Sequence, residues 1–354
     1  MTGVLLGCGL AFAAAAAPSL PEKLIEEGHW KQARAIVAPW IRDKPNDPLA
    51  NFLYSQIRNA FHDRQSPLAL AENAVRLESG AGKYHRQLAE VLGVTAQHSG
   101  MLQQLFLARR FKKEIDIALT EDGSDLQALR DLMEFYLLAP GIAGGDKDKA
   151  RAAADRILRL NAAEGWLARA RLAEFEQEPG AGEAFLRKAV EAQPGSYKAR
   201  IALANHYLSA GHRNYDLAGE QAREALRIDP GRVASYAILS EASAARGSWS
   251  EMEELLARAE KAVPDDLTPY VRAAEAIRSS GRELPRAERL LRRYLAAEPE
   301  GNAPTISEAH WQLGLVLEKQ ARRAEAIEQW SESLRLDSES PAKRELKRLA
   351  ARER

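Results

Sequence analysis

The residues with the clearest chemical potential are seven histidines and a glycine-rich stretch that runs from Gly141 to Lys147. The stretch precedes a predicted helix, as a phosphate-binding loop does. Such a loop, however, needs Gly, four residues and Gly-Lys-Ser/Thr directly after a strand, and this spacing differs. Asp146 fits an ordinary helix N-cap, and its charge would repel phosphate. The stretch therefore predicts a turn between helices and no cofactor site.

The histidines show no spacing that is typical of a metal site. They are His29, His62, His85, His98, His206, His212 and His310. None has a histidine four residues away with an intervening Glu, which is how one helix face holds zinc. No Gly-x-Ser-x-Gly elbow marks a nucleophile. We therefore predict no catalytic residue, no metal ligand and no cofactor, and interpret the protein as a non-enzyme.

The charge balance argues against a generic nucleic-acid partner. The 354-residue chain carries 50 basic and 50 acidic residues, whereas nucleic-acid binders show a basic excess or stripe. The basic clusters Arg109–Lys113 and Lys343–Arg348 are interrupted by acidic or apolar residues at helical spacing, which is typical of a solvated helix face. An aromatic content of 6% with abundant Ala favours helix-on-helix packing, so we predict an all-α fold.

The element that must position any binding residue is a repeated pair of helices. In its clearest copy, Leu313 and Leu317 lie one turn apart with Gly314 beside them, and Ala326 and Trp330 give a second helix its apolar face. This copy resembles a tetratricopeptide repeat, a helix–turn–helix unit of about 34 residues. The resemblance rests on phase and residue type as well as on helical character.

The same closing pattern recurs nine times: a small or aromatic residue, an apolar residue, then an acidic or polar residue and a helix stopper. The stoppers are Pro45, Ser79, Gly123, Ala162, Pro194, Pro230, Pro264, Pro299 and Ser338. The resemblance implies a right-handed superhelical solenoid of about nine TPR-like helical hairpins with a C-terminal capping helix. In such an array each hairpin buries its apolar face only against its neighbours.

The repeat spacing divides the chain into segments. We predict irregular TPR-like repeats over 18–196, regular repeats over 197–340 and a capping helix over 341–354. The unit Gly80–Gly123 exceeds a standard repeat by about ten residues, which longer helices or an extra turn around Gly100 would absorb. Within it, Leu102 and Phe106 are expected to continue an apolar stripe on the second helix.

The N-terminus is typical of a secretory signal peptide. Val4 to Ala17 is apolar and uncharged and ends in small residues before Pro18, so we predict a signal peptide over 1–17, cleaved after Ala17. The stretch is shorter than the ~20 apolar residues of a membrane span. It lacks a basic residue before Val4, and an apolar first helix packed on the array is the alternative interpretation.

The single cysteine lies inside this segment. Leu5 to Cys8 resembles a bacterial lipobox, but only four residues precede the motif and the chain stays apolar after it, so we disfavour a lipid anchor at Cys8. The sequence from Glu134 to Ala150 is similar to a stretch found in a group of exported bacterial TPR proteins. We therefore expect an exported, periplasmic or extracellular bacterial protein without a transmembrane span.

The resemblance also implies a function and a surface. TPR arrays offer a concave groove, lined by first helices, that holds a segment of a protein partner. We expect a protein-interaction scaffold or adaptor of the cell envelope, with no nucleic-acid partner. Two alternatives stay open: a structural subunit of an envelope assembly complex, or a regulatory subunit of an enzyme system whose catalyst is another chain.

The regular repeats are expected to carry the binding residues, because their first helices should line one smooth surface. Trp311 would be the anchor, although contact with the tail helix is an equal alternative. The small residues Ala234, Ala237 and Ala244 would leave room for the partner. The expected partner-binding residues are Asn205, Glu241, Glu275, Arg278, Trp311, Glu318 and Lys319, with Lys198, Ile201 and Glu308 on the same face.

Overall fold

The computed structural model describes residues 19–209 and 211–352, and within these ranges the chain is helical throughout, without strands. The predicted signal peptide and Cys8 lie outside the described residues. The first helices of successive hairpins are α1 (Leu20–Glu27), α3 (Pro48–Ala60), α5 (Gly82–Gln97), α7 (Leu126–Leu138), α9 (Ala162–Glu176), α11 (Tyr197–Leu208), α13 (Val233–Arg246), α15 (Thr268–Ser280) and α17 (Ile306–Lys319).

Each first helix is followed by its antiparallel partner. The second helices are α2 (Trp30–Asp43), α4 (Ser66–Leu77), α6 (Met101–Glu121), α8 (Lys147–Leu160), α10 (Ala181–Ala192), α12 (Tyr215–Ile228), α14 (Trp249–Ala262), α16 (Leu284–Leu295) and α18 (Arg323–Leu336). The last helix, α19 (Ala342–Arg352), packs on α18. The described chain thus contains nine hairpins and a cap, which confirms the all-α solenoid.

Local sequence explains where the helices begin. The side chains of Asp125 and Asp146 accept hydrogen bonds from the first backbone N–H groups of α7 and α8, and Ser196 and Thr305 do the same for α11 and α17. These N-caps satisfy donors that have no partner inside the helix. The glycine-rich stretch before α8 forms a 3₁₀ turn over Gly141–Ala143, so it is a connector, as predicted.

Close helix contacts depend on small residues at the hairpin interface. A Cβ atom on Gly314 would lie 2.3 Å from Nε1 of Trp330, whose side chain is fully buried. The Trp330 indole N–H donates to the carbonyl of Trp311 at 3.2 Å. The glycine therefore lets α17 and α18 approach, as its place in the repeat predicted.

The stretched third unit is accommodated by longer helices. α5 has 16 residues and α6 has 21, whereas the second helices of the repeats from α11 to α18 have 12 to 14. At 1.5 Å per residue, seven additional residues lengthen a helix by about 10 Å. The first two turns of α6 thereby extend past the length of an ordinary repeat helix.

The N-terminal hairpin contacts the C-terminal repeats, and this contact is called here the closure interface. Its residues are Lys31, Arg34, Glu298, Glu300 and Gly301. The backbone N–H of Lys31 donates to Glu300 at 2.8 Å, Arg34 pairs with Glu298 at 2.9 Å, and Trp30 packs directly on Gly301. The solenoid is therefore joined to itself across a sequence separation of more than two hundred residues.

Candidate functional site

A wide pocket opens between α5, α6, α7 and the 3₁₀ turn, and it is called here the α6 pocket. Its volume is about 470 Å³, within the range of small-molecule and peptide sites. Most of its lining is apolar. The apolar lining residues are Gly93, Val94, Ala96, Met101, Leu105, Ala108, Phe111, Phe135, Leu138, Ala139, Pro140 and Ala143.

Large apolar side chains are concentrated around this pocket and point to solvent. Among the described residues, six of the eleven exposed large apolar side chains lie between 94 and 142: Val94, Met101, Leu102, Phe106, Leu138 and Ile142. Leu102 is 85% exposed and Phe106 is 66% exposed. Clustered exposure of this kind marks interaction surfaces on soluble proteins.

The exposed patch has a structural cause in the length of α6. No helix of the described chain covers the outer side of the N-terminal turns of α6, which carry Met101, Leu102 and Phe106. Ile115 and Ala118 farther along the helix are buried. The expectation that Leu102 and Phe106 continue a packed stripe is therefore wrong. The stripe is packed only where α6 runs beside its neighbours.

The floor of the pocket is rigid and aromatic. Phe111 of α6 and Phe135 of α7 stack with ring centroids 5.5 Å apart and planes only 10° from parallel. Phe135 is 8% exposed, and Gly144 packs against its ring edge. Offset aromatic pairs of this type contribute beyond the area that they bury. The pocket is thus largely preformed and needs no collapse of side chains.

Two carboxyl groups lie in the wall of this apolar pocket. Asp131 accepts a hydrogen bond from the Gln127 amide at 2.9 Å through Oδ1, but its buried Oδ2 has no partner. Burial raises the pKa of Asp131 to about 6 and raises the pKa of Glu90 above its ordinary value. An unpartnered carboxylate oxygen inside an apolar pocket favours a cationic ligand group, because ion pairing would offset the cost of burying the charge.

Most of the predicted binding residues on the regular repeats already contact residues of neighbouring repeats or of the capping helix. Glu241 pairs with Arg272 at 2.5 Å, Glu275 accepts from Gln312 at 2.7 Å, and Lys319 donates to the carbonyl of Arg278 at 2.8 Å. Glu318 pairs with Arg348 of the capping helix at 2.6 Å. Lys198 likewise pairs with Glu164. The side chains of Glu241, Glu275 and Lys319 therefore bridge the first helices of adjacent repeats, and that of Glu318 bridges α17 to the capping helix. Arg278 takes part through its carbonyl.

The other two predicted residues face cavities that the N-terminal repeats close. Trp311 lines a cavity of about 380 Å³ opposite His62, Arg64 and His98 of the α3–α6 region. Asn205 is exposed and lines a second cavity of about 250 Å³, whose opposite wall includes Trp30. The structure thus places Asn205 and Trp311 in two different cavities.

The alanines expected to leave room for a partner are already packed. Ala237 is 3% exposed and Ala244 is fully buried, and Ala234 and Ala237 line the cavity beside the N-terminal hairpin. Helices α13 and α15 pack closely there, and small side chains permit that approach. Ala244 thus serves packing between helices, whereas Ala234 and Ala237 border a cavity whose opposite wall is the N-terminal hairpin.

Two histidines and one glutamate that are far apart in the sequence lie close together in the structure. Glu183, His206 and His212 present ligand-type atoms within 4.8 Å of one another. The sequence argument missed this group because it tested ligand pairs on one helix face, and these residues come from α10, α11 and the following turn. No sequence pattern used above would have found it.

Comparisons with known proteins add the following. No family model matches the chain, and no curated protein matches it. Similar solved structures include yeast Tom70, with 12% identity, a TM-score of 0.48 and coverage of 91% of this chain and 84% of that one. The MamA protein has 17% identity and a TM-score of 0.35, with coverage of 49% of this chain and 90% of that one. Pseudomonas aeruginosa PilF has 16% identity and a TM-score of 0.42, with coverage of 64% of this chain and 99% of that one.

Proposed function

We propose that this protein is a non-enzymatic protein-interaction scaffold of the bacterial cell envelope and that it binds a partner segment in the α6 pocket. The observation that carries the proposal is the preformed 470 Å³ apolar pocket, which exposed Met101 lines, together with exposed Leu102 and Phe106 on the same turns of α6. Solenoids present extended surfaces to partner segments, and exposed apolar patches rimmed by polar groups mark docking sites.

The chemistry of the pocket defines the partner segment. Its apolar lining accepts two or three apolar side chains, and Asp131 and Glu90 accept a Lys or Arg side chain beside them. Glu134 also borders the pocket, but it already pairs with Arg171 at 2.8 Å. The partner is therefore a short amphipathic segment with a basic residue next to its apolar anchors.

The test is selection from a displayed peptide library on the purified protein, followed by calorimetric binding of the enriched peptides. We expect enrichment of peptides that combine a basic residue with apolar anchors. Their affinity should fall at least about tenfold in Met101→Asp and in Asp131→Asn, since the first changes the apolar lining and the second removes the carboxylate. Leu336→Asp, at another exposed apolar position outside the pocket, is the matched control and should bind normally.

The same assay decides between this pocket and the surface of the regular repeats. If Trp311→Ala, or Glu241→Lys with Glu275→Lys, abolishes peptide binding while the α6 pocket variants retain it, the site belongs to the regular repeats. Enrichment of no peptide at all would contradict the scaffold proposal itself. Circular dichroism of each variant must remain helical for either conclusion.

The envelope location is supported by the apolar, uncharged run from Val4 to Ala17. Within the described part of the chain, no helix combines the length and apolar character that a membrane crossing requires. We expect the intact mass of protein purified from envelope fractions to correspond to a chain that begins at Pro18. A product that retains Met1 would contradict export by cleavage, and a diacylglycerol-sized addition at Cys8 would assign the protein to the lipoproteins.

A further inference from the structure

Glu183, His206 and His212 form a compact group at the junction of two repeats. Glu183 lies in the first turn of α10, His206 lies near the end of α11, and His212 lies in the turn before α12. Their ligand-type atoms lie within 4.8 Å of one another, and the two imidazole rings have centroids 4.2 Å apart. Two imidazoles and one carboxylate are a ligand set that zinc uses in proteins.

One nitrogen atom of the group, which could bind a metal ion, has no hydrogen-bond partner among the described residues. Nε2 of His206 is buried and has no hydrogen-bond partner. Buried polar atoms are almost always paired, so an unpartnered imidazole nitrogen beside a second imidazole and a carboxylate needs an explanation. A bound cation at this point would satisfy the nitrogen.

Neighbouring groups already orient the other two side chains. Nδ1 of His212 lies 3.0 Å from the hydroxyl oxygen of Ser209, so its Nε2 is the nitrogen left for a ligand. The recorded contacts of the Glu183 carboxylate fall on Oε1, from the Tyr207 hydroxyl at 3.1 Å and from Arg187 at 2.8 Å. Oε2 is thereby left to face an ion. Contacts of this kind hold metal ligands in position in known sites.

The turn that carries His212 is itself held in place. The backbone N–H of Asn214 donates to the carbonyl of Tyr207 at 2.8 Å, and the N–H of His212 donates to the carbonyl of Ser209 at 3.0 Å. Asn214 also caps α12 through its side chain. These bonds return the chain over the end of α11, which is why His212 meets His206.

We propose that Glu183, His206 and His212 bind a zinc-class divalent transition-metal ion that links the α9–α10 hairpin to the α11–α12 hairpin. Three protein ligands leave the fourth tetrahedral position to water or to a partner's side chain. Because Arg187 and Tyr207 occupy Oε1 of Glu183, the carboxylate would bind the ion through Oε2 alone. The group stands apart from the α6 pocket, so its failure would leave the proposed function untouched.

The test uses the full-length protein, stripped with chelator and titrated with ZnCl₂. We expect one zinc ion per chain by calorimetry and a rise in the unfolding temperature that chelator reverses. His206→Ala and His212→Ala should each abolish the rise, and Ser209→Ala should weaken binding about tenfold because it removes the group that orients His212. His98→Ala, at an exposed histidine outside the group, is the matched control and should behave as the unmodified protein does.

Cobalt provides a readout that a merely structural role of the histidines would not change. Co²⁺ bound at this site should give the visible absorption of four-coordinate cobalt, and the absorption should disappear in His212→Ala, which removes an exposed side chain. If zinc binds equally well to the double variant His206→Ala/His212→Ala, or fails to bind the unmodified protein at millimolar concentration, the proposal is wrong.

Discussion

The regular repeats from α11 to α18 and the lengthened third unit, α5 and α6, use the same helical hairpin in opposite ways. In the regular repeats, polar groups such as Glu241 and Glu275 contact the next repeat, and alanines such as Ala237 are covered. In the lengthened unit, Leu102 and Phe106 project into solvent beside an open pocket. In the regular repeats, therefore, polar side chains pair with the adjacent repeat. In the lengthened unit, apolar side chains stay exposed to solvent.

The closure interface strengthens this contrast. The hairpin α1–α2 lies against the loop that contains Glu300 and Gly301, and its turn forms a wall of the cavity beside Asn205. The surface that regularity would have made available to a partner is thus partly occupied by the chain itself. The α6 pocket has no such occupant among the described residues, so the irregular unit is the more accessible of the two regions.

The largest expected effect is a loss of stability when a fully buried side chain of the regular repeats is truncated. Trp330 is completely buried between α17 and α18, and Trp330→Ala should lower the free energy of unfolding by about 3–5 kcal/mol. Denaturant unfolding followed by circular dichroism measures this. A loss below about 1 kcal/mol would mean that the last hairpin is loosely packed and that the contrast with α6 does not hold.

A second prediction tests the close helix approach in the same hairpin. Gly314→Leu should cost about 1–3 kcal/mol, because even a Cβ at this position meets the Trp330 indole. The matched control is Gly219→Ala on α12, where a Cβ meets only the flexible end of Arg223 at 3.6 Å. We expect that change to be neutral or to stabilise by up to about 1 kcal/mol, since Ala favours helix over Gly. Equal effects at the two glycines would contradict the assigned packing.

The last hairpin also shows how much of the fold could be predicted from the sequence. Leu313, Gly314 and Trp330 could be placed correctly because a repeat imposes the same packing at every copy. The pocket could not, because Leu102 and Phe106 have the spacing of buried residues and only the length of α6 leaves them uncovered. The closure interface was also missed, because periodicity carries no information on contacts between remote repeats.

The third prediction concerns the pH dependence of the closure interface. Glu300 is 3% exposed, and burial raises its pKa to about 7 despite hydrogen bonds from Gly301 and Lys31, with Asp266 raising it further. Because the pKa is higher in the closed state than the ordinary value of 4.5, closure is fully stabilised at low pH. That stability should fall as the pH rises through about 7.

Hydrogen exchange of the α2 amides, corrected for the intrinsic effect of pH, measures this opening. We expect faster exchange at pH 8 than at pH 6 in the unmodified protein and a much smaller difference in Glu300→Gln, whose amide cannot ionise. Amides of α17 are the internal control. The same pH dependence in both proteins would assign the effect to another group, and no pH dependence would show that Glu300 is not buried by closure.

The smallest expected effect concerns Phe106, because an exposed side chain contributes little to folding. Phe106→Ser should change the free energy of unfolding by no more than about 0.5 kcal/mol, since this ring is 66% exposed, whereas Phe111→Ala, which removes half of the stacked pair with Phe135, should cost clearly more. The two phenylalanines lie on one helix, five residues apart, so the pair separates surface from packing without changing the element. A near-neutral Phe106→Ser that nonetheless weakens peptide binding would show that this residue contributes to binding and not to folding. A loss above about 1 kcal/mol would mean that the first turns of α6 pack on the body of the protein, and the accessible pocket would then lose its main support.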